Sequence, residues 1–155
     1  MTERRNAADS TKSLNGLRVL DFSTTIAGPH CTRMLADMGA DVIKVESAEG
    51  ETMRTRPPLR NNFSTVFGQL NAGKKSLVLD LKSPEAIDLV RRLVAGTDII
   101  VENFRPGVMR RLKLDYGSLQ ALNPRLIYCS LSFAGQTGPY AGRAGHDPAA
   151  LALSG

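Results

Sequence analysis

The sequence has few cysteines, no tryptophan and no long apolar run. Its two cysteines, Cys31 and Cys129, stand far apart among 155 residues and have neither Cys-x-x-Cys nor Cys/His spacing. We therefore expect no disulfide framework and no metal site, but two small buried thiols in a protein of the reducing cytoplasm. No apolar stretch reaches membrane-spanning length, and the polar N-terminus lacks the apolar centre of a signal peptide.

Charge of either sign is also limited. Twenty Lys and Arg residues face 15 Asp and Glu residues, which gives a formal net charge of +5. A small positive excess suits acidic small molecules as well as it suits nucleic acid. The basic residues are not interleaved with aromatic residues as they are in nucleic-acid modules, so we expect no nucleic-acid partner. The hydrophobic content of 42% is enough for one domain with a substantial core.

What the chain does have is a regular alternation of strand and helix patterns. Residues 17–22, 30–38 and 40–46 read as strand, helix and strand, the βαβ signature. The remaining predicted elements are a short helix at 63–70, strands at 76–81, 98–101 and 126–130, and helical segments at 84–95, after Pro106-Gly107, at 115–122 and at 148–154. The alternation predicts an α/β fold with a doubly wound, Rossmann-like, mostly parallel sheet over residues 14–155. We expect residues 1–13 to form a disordered leader. Because the last helix breaks off soon after it begins, we expect the chain to be incomplete.

The most informative stretch runs from Thr97 to Leu112. A buried strand ends there in Glu102-Asn103-Phe104-Arg105, and open α/β sheets bind ligands at the carboxyl ends of their strands. Pro106-Gly107 then leads into a segment that carries Arg110 and Arg111. An aromatic face, an amide and three guanidinium groups together favour an aromatic ligand that bears phosphate.

Two nucleotide-binding motifs can be rejected. Residues 68–75 match the spacing of a Walker A motif only as far as Lys74; the next residue is Lys75, where Ser or Thr would bind magnesium. The glycines that follow the first strand do not form a dinucleotide fingerprint. Lys74, Lys75 and Lys82 flank the third strand, and their pattern fits either a solvated edge or contacts to a ligand.

The C-terminal part of the sequence contains a glycine-rich loop and a histidine beside an aspartate. Glycines at 135, 138, 142 and 145 allow backbone amides to approach a ligand closely, but they are equally typical of an ordinary connection. His146 is followed by Asp147, so it is a candidate general base with an acidic neighbour; a lone histidine is otherwise most often structural.

Taken in order, several stretches resemble the class III CoA-transferase (CaiB/BaiF-like) family, which also contains the 2-methylacyl-CoA racemases. They are 17–22 with Ala27-Gly28-Pro29, LADMGADVIKVE at 35–46, NAGKKS at 71–76, LDLK at 79–82, VENFRPG at 101–107, NPRLIY at 123–128, GQTGP at 135–139 and LSG at 153–155. The resemblance implies an N-terminal part of a larger fold that forms an interlocked homodimer.

The resemblance also implies a CoA site at the strand ends. By position, Leu79, Asp80 and Lys82 would line the adenine and ribose phosphate, and Asn103, Phe104 and Arg105 would hold the nucleotide and pyrophosphate. Arg111 would pair with a phosphate, while Ala27 and Gly145 would lie near the thioester. CoA and acyl-CoA are then substrates, and no permanently bound cofactor is implied.

Three activities follow as alternatives from the resemblance. A transferase would move CoA from an acyl-CoA to a carboxylic acid through an aspartyl intermediate, whose nucleophilic aspartate lies beyond the last residue of this sequence. A racemase would use His146, with Asp147, to exchange the proton α to the thioester. A CoA-binding fragment would bind without turnover. We favour the transferase, with this chain alone inactive; a plain dinucleotide binder ranks last because the glycine fingerprint is missing.

Overall fold

A computed structural model of the chain describes residues 12–145 and 147–155. The strands are β1 (Arg18–Asp21), β2 (Asp41–Glu46), β3 (Leu59–Arg60), β4 (Phe63–Ser64), β5 (Lys75–Val78), β6 (Ile99–Glu102) and β7 (Ile127–Ser130). The helices are α1 (Ala27–Asp37), α2 (Thr65–Asn71), α3 (Pro84–Val94), α4 (Val108–Arg111), α5 (Tyr116–Leu119) and α6 (Asp147–Ser154). Thr52–Thr55 form a 3₁₀ turn.

Five strands form one parallel sheet in the order β5-β2-β1-β6-β7. The chain moves outward from β1 through β2 to β5, and then crosses to the other side of β1 to build β6 and β7. This is the order of a doubly wound dinucleotide fold, in which the crevice between the two halves opens at the carboxyl ends of the central strands. The predicted fold class is therefore confirmed, and the crevice lies between the ends of β1 and β6.

Successive residues of the central strands pack on opposite faces of the sheet. Leu20 and Ile100 belong to a cluster beneath α3, α4 and α5, whereas Val19 and Val101 belong to a second cluster beneath α1. All four side chains are at most 1% exposed. Apolar residues on consecutive positions are required because both faces of a parallel sheet are covered by helices.

Helix α3 follows the signals read from its sequence. The Ser83 hydroxyl accepts a hydrogen bond from the Ala86 N–H, Pro84 occupies the first turn, and Glu85 adds a negative charge at the N-terminus. The side chains of Val90 and Val94 are completely buried against the sheet. The predicted helix is confirmed, with its last residue at Val94.

Three element boundaries differ from the prediction. Helix α1 begins at Ala27 rather than at residue 30, and β5 ends at Val78 rather than at residue 81. The predicted helix at 63–70 begins instead with the short hairpin β3–β4, because Asn61 and Asn62 adopt left-handed backbone angles (φ 51° and 62°) that form a tight hairpin turn. The remaining strands and helices agree with the prediction within a few residues.

No helix within the described ranges is both long and apolar enough to cross a membrane. Cys31 and Cys129 are free thiols and half-buried rather than fully buried, so the expectation of two core cysteines is wrong in degree. Burial raises the pKa of the Cys129 thiol.

The predicted leader lies almost entirely outside the described residues, and so does His146.

Candidate functional site

A cavity of about 260 Å³ opens at the carboxyl ends of the central strands. Its lining comes from four strand ends: residues 22–24 after β1, 44–47 in and after β2, 79–82 after β5 and Phe104 after β6, with Gly50 and Glu51 closing one side. The phenyl rings of Phe22 and Phe104 and the side chains of Leu79 and Leu81 make much of this surface apolar. The cavity therefore lies at the crevice that the strand order predicts.

Four of the predicted site residues line this cavity. Leu79, Asp80 and Lys82 lie on the turn after β5, and Phe104 lies two residues after β6. The turn is closed by the Asp80 carboxylate, which accepts a hydrogen bond from the Lys82 N–H at 3.0 Å. Leu79 and Phe104 are half-buried, while Asp80 and Lys82 are exposed at the rim. The arrangement combines an apolar interior with charge at the entrance.

Asn103, another predicted site residue, is hydrogen-bonded to the loop after β1. Its side-chain amide brackets the peptide of Thr24: Oδ1 accepts from the Thr24 N–H at 2.8 Å, and Nδ2 donates to the Thr24 carbonyl at 2.8 Å. Asn103 thereby ties the end of β6 to the loop after β1. With both of its polar atoms engaged by the protein, the residue fixes the crevice from within.

The other predicted residues lie apart from the cavity lining. Arg105 and Arg111 are exposed, and Ala27 is the exposed first residue of α1. Gly145 packs against the ring of Phe133 so closely that a Cβ at this position would overlap the ring. Asp147 begins α6.

Beneath the cavity lies a set of buried charges that sequence reasoning missed. The Lys44 ammonium, on a side chain only 2% exposed, lies 2.8 Å from Glu51 Oε2 and donates to the Ser23 carbonyl at 2.7 Å. The Glu51 side chain is 1% exposed. A lysine within the apolar run of β2 was a usable signal, because a charge inside a covered parallel sheet requires a buried partner.

A second buried pair joins Asp21 at the end of β1 to Lys74. The Lys74 ammonium lies 2.9 Å from Asp21 Oδ2 and also donates to the Pro29 carbonyl at 2.9 Å and to Asn71 Oδ1 at 2.8 Å. Its burial lowers the pKa of the Lys74 ammonium, although the Asp21 carboxylate opposes that shift. Lys74 is therefore neither part of a solvated edge nor free for a ligand, whereas its neighbour Lys75 is exposed and pairs with Asp41 at the surface.

The third acid, Glu46, anchors the 3₁₀ turn. Arg54 donates to both of its carboxylate oxygens at 2.6 and 2.7 Å, and the guanidinium also stacks 4.1 Å from the centre of the Phe67 ring. Burial favours the protonated acid, but the hydrogen bonds from Arg54, Ser76 and the Glu51 N–H outweigh it and lower the pKa of Glu46 to about 2. Arg54 is thus held by the protein.

The Glu46 cluster predicts a specific loss of stability in acid. Since the pKa of Glu46 is 4.5 when unfolded and about 2 when folded, its ionised form stabilises the fold above pH 4.5, and this contribution is lost as the pH falls towards 2. We expect a Glu46→Gln variant to show a flatter dependence of unfolding free energy on pH over this window, measured by urea unfolding. Asp37→Asn, which removes an exposed ion pair with Arg33, should retain the wild-type dependence. Identical curves for Glu46→Gln and wild type would contradict the assignment.

The lining is suited to binding rather than to covalent chemistry. Its apolar and aromatic surface is chemically compatible with a flat ring, and the exposed Lys82 ammonium at the rim is chemically compatible with an anion. Among the residues that the structure describes, no group of three His, Cys, Asp or Glu side chains could hold a metal ion.

Comparison with known proteins extends this description. The family model for CoA-transferase family III matches residues 14–155. The chain is similar to a succinate–glutarate CoA-transferase of Agrobacterium fabrum (47% identity, covering 92% of this chain and 38% of that protein). It is also similar to the human succinyl-CoA:glutarate CoA-transferase (39% identity, covering 95% of this chain and 34% of that protein).

Solved structures give the same result. The chain superposes on Rv3272 from Mycobacterium tuberculosis with a TM-score of 0.86 at 41% identity, over 93% of this chain and 41% of that one. A CAIB/BAIF family protein from Brucella suis gives a TM-score of 0.83 at 46% identity, over 88% of this chain and 37% of that one. The chain thus spans between a third and two fifths of the length of these relatives.

Proposed function

Since the chain belongs to CoA-transferase family III, we propose that it is the coenzyme-binding part of an enzyme that moves CoA between an acyl-CoA and a carboxylic acid. The observation that carries this proposal is the cavity at the crevice of the sheet, lined by Leu79, Asp80, Lys82 and Phe104. These residues lie on two of the stretches that resemble the family, and they combine an apolar slot with a rim that carries the Lys82 ammonium and the Asp80 carboxylate.

The size and lining of the cavity fit one end of the coenzyme. Pockets for drug-sized ligands measure about 300–1,000 Å³, so a cavity of about 260 Å³ suits the adenine ring and not the whole molecule. We assign the ring to the apolar slot between Phe104 and Leu79, and a phosphate to Lys82. The rest of CoA then runs along the loop that begins α1, where Ala27 is exposed. Gly145 and Asn103–Arg105 stay predictions as coenzyme contacts.

The proposed chemistry needs a carboxylate nucleophile that attacks the thioester carbonyl and releases the CoA thiolate. We assign that role to no described residue of this chain. Its proposed contribution is to bind the nucleotide end of CoA and to hold the thioester at a fixed place, which supplies proximity and orientation.

Titration calorimetry tests the binding step directly. We expect this chain to bind CoA, and to bind it more tightly than NADH; tighter binding of NADH would favour a dinucleotide-binding protein instead. For the whole protein, we expect transfer of labelled CoA from succinyl-CoA to a free dicarboxylic acid. Uptake of solvent deuterium α to the thioester without any acceptor acid would favour the racemase, in which His146 and Asp147 act. Binding without either reaction would favour a non-catalytic CoA-binding protein.

Arg111 provides a prediction with a matched neighbour. If the Arg111 guanidinium pairs with a phosphate of CoA, Arg111→Ala should weaken CoA binding by about 1–3 kcal/mol, the typical contribution of a charge-assisted hydrogen bond. Arg110→Ala removes an equally exposed charge from the same helix and serves as the control. Calorimetry with CoA and with dephospho-CoA identifies the phosphate involved. Equal affinities for the two variants would remove Arg111 from the site.

We further propose that the whole protein is a homodimer of the cytoplasm. Two free thiols are consistent with a reducing compartment. Light scattering of the whole protein tests the dimer, and a monomer at micromolar concentration would contradict it.

A further inference from the structure

The backbone of Thr25 is held in an unfavourable conformation at the mouth of the crevice. Its φ of 71° places a β-branched residue in the left-handed region, which such residues avoid unless their surroundings enforce it. The side chains of Thr25 and Ile26 are exposed, so no packing of their own stabilises this turn. The constraint must come from the backbone contacts of the loop.

Two side chains from different elements supply those contacts. Asn103 at the end of β6 brackets the peptide of Thr24, as described above. Glu51 Oε1 accepts a hydrogen bond from the Thr25 N–H at 2.6 Å. Two successive amides of the loop are therefore anchored, one by each side of the crevice.

Glu51 is itself held by hydrogen bonds and by an ion pair, although its Oε2 makes no hydrogen bond. Its other carboxylate oxygen, Oε2, pairs with the buried ammonium of Lys44 at 2.8 Å, and its own N–H donates to Glu46 Oε2 at 3.2 Å. Lys44 also donates to the Ser23 carbonyl, at the start of the same loop. A buried carboxylate with this geometry acts as a rigid support, because neither its backbone nor its side chain can move without exposing an unpaired charge.

We infer that Glu51 is a positioning residue, which holds the segment Ser23–Ile26 (the anchored loop) in its left-handed turn as a fixed wall of the coenzyme cavity. This inference rests on the proposed function, because it makes the anchored loop part of the wall of the cavity that is proposed to bind CoA. Ser23, Thr24 and Glu51 line the same cavity as the turn at 79–82. The acidic side chain does not touch the reacting atoms; it acts through the backbone of Thr25.

Two double variants isolate this role. Lys44→Met with Glu51→Gln removes the ion pair but keeps a side-chain carbonyl that can accept from the Thr25 N–H. Lys44→Met with Glu51→Met removes the ion pair and the acceptor with a side chain of similar length. Any difference between the two variants therefore reports the hydrogen bond to Thr25 rather than the loss of buried charge.

Nuclear magnetic resonance reports the backbone conformation of Thr25 separately from the overall stability of the protein. The ¹³Cα and ¹³Cβ shifts and the amide coupling of Thr25 report its φ angle. We expect left-handed values in wild type and in the Gln variant, and averaged values in the Met variant.

By calorimetry, CoA should bind the Met variant about tenfold more weakly than the Gln variant.

A rescue experiment covers the case in which the Met variant does not fold. Adding Thr25→Gly to it supplies a residue that adopts positive φ without strain, so the triple variant should fold and recover CoA affinity. Equal Thr25 signals in the two double variants, or no rescue by glycine, would overturn the inference. If wild type does not bind CoA, the proposed function fails, whereas the Thr25 signals still decide the role of Glu51.

Discussion

An Asp21→Ala variant is expected to lose about 3–5 kcal/mol of unfolding free energy, the usual cost of removing one partner from a buried ion pair. Asp21 is completely buried, and the Lys74 ammonium 2.9 Å away is on a side chain only 2% exposed. Without the carboxylate, that ammonium remains buried next to neutral acceptors alone. Thr32 Oγ1 loses its shortest hydrogen bond, to Asp21 Oδ2 at 2.6 Å, and keeps only the carbonyls of Gly28 and Pro29 at 3.2 Å.

A surface pair of the same chemistry provides the control. Asp41 lies 2.7 Å from the Lys75 ammonium, but the two side chains are 38% and 69% exposed. Asp41→Ala should therefore cost less than about 1 kcal/mol, because water and salt screen an exposed pair. Urea unfolding of both variants gives the comparison. Similar losses of unfolding free energy in the two variants would mean that burial does not increase the contribution of the Asp21 ion pair to stability.

A Gly28→Ala variant is expected to be destabilised by about 3 kcal/mol, the upper end of the usual range for over-packing. Gly28 is buried in the first turn of α1, and a Cβ there would overlap both Cβ and Oγ of Ser23. Ser23 cannot yield, since its N–H and hydroxyl both donate to Asp21 Oδ1. A Cβ would also come within 3.6 Å of Cγ of Asn103, which anchors the neighbouring Thr24. CoA affinity should therefore fall together with stability.

Gly117 offers the matched substitution. It lies in α5 without a positive φ, and a Cβ there would meet only Asp115 Oδ2 at the ordinary contact distance of 3.7 Å. Gly117→Ala should leave the protein as stable as wild type or stabilise it by up to about 1 kcal/mol, since alanine favours the helix. Thermal unfolding and CoA calorimetry on the two variants complete the test. A stable Gly28→Ala protein with wild-type CoA affinity would show that the contact with Ser23 relaxes freely.

The fold was predictable because its signals are local. The apolar run at 98–101, the cap at Ser83 and the strand-helix alternation each depend on neighbouring residues, and together they predict a parallel sheet. Phe104 was predicted as a site residue for a related reason: it closely follows a strand, and strand ends meet at one edge of a parallel sheet. Leu79, Asp80 and Lys82 were predicted from the family resemblance instead. The hairpin at Asn61-Asn62 was missed because its left-handed turn competes with a helical pattern that starts nearby.

The buried pair of Asp21 and Lys74 was not predictable, because its two partners lie far apart in the sequence. Lys74 and Asp21 are separated by 53 positions, and their pairing depends on β5 and β1 being two places apart in the sheet. The contact between the Asn103 amide and the backbone of Thr24 was not predicted, since side-chain chemistry alone does not reveal this partner; the role of Asn103 as a coenzyme contact stays a prediction. Glu51 lies in a polar loop, where nothing in its immediate neighbours indicates burial.

The buried ion pairs and the exposed charge at the rim of the cavity should respond differently to ionic strength. The charges of Lys44, Lys74 and Arg54 are neutralised inside the protein by Glu51, Asp21 and Glu46, at distances far below the screening length of about 8 Å in physiological salt. A bound phosphate would instead meet the exposed ammonium of Lys82, which mobile ions reach freely. Added salt should therefore weaken the attraction of the site for an anionic ligand at concentrations that leave the architecture of the crevice intact.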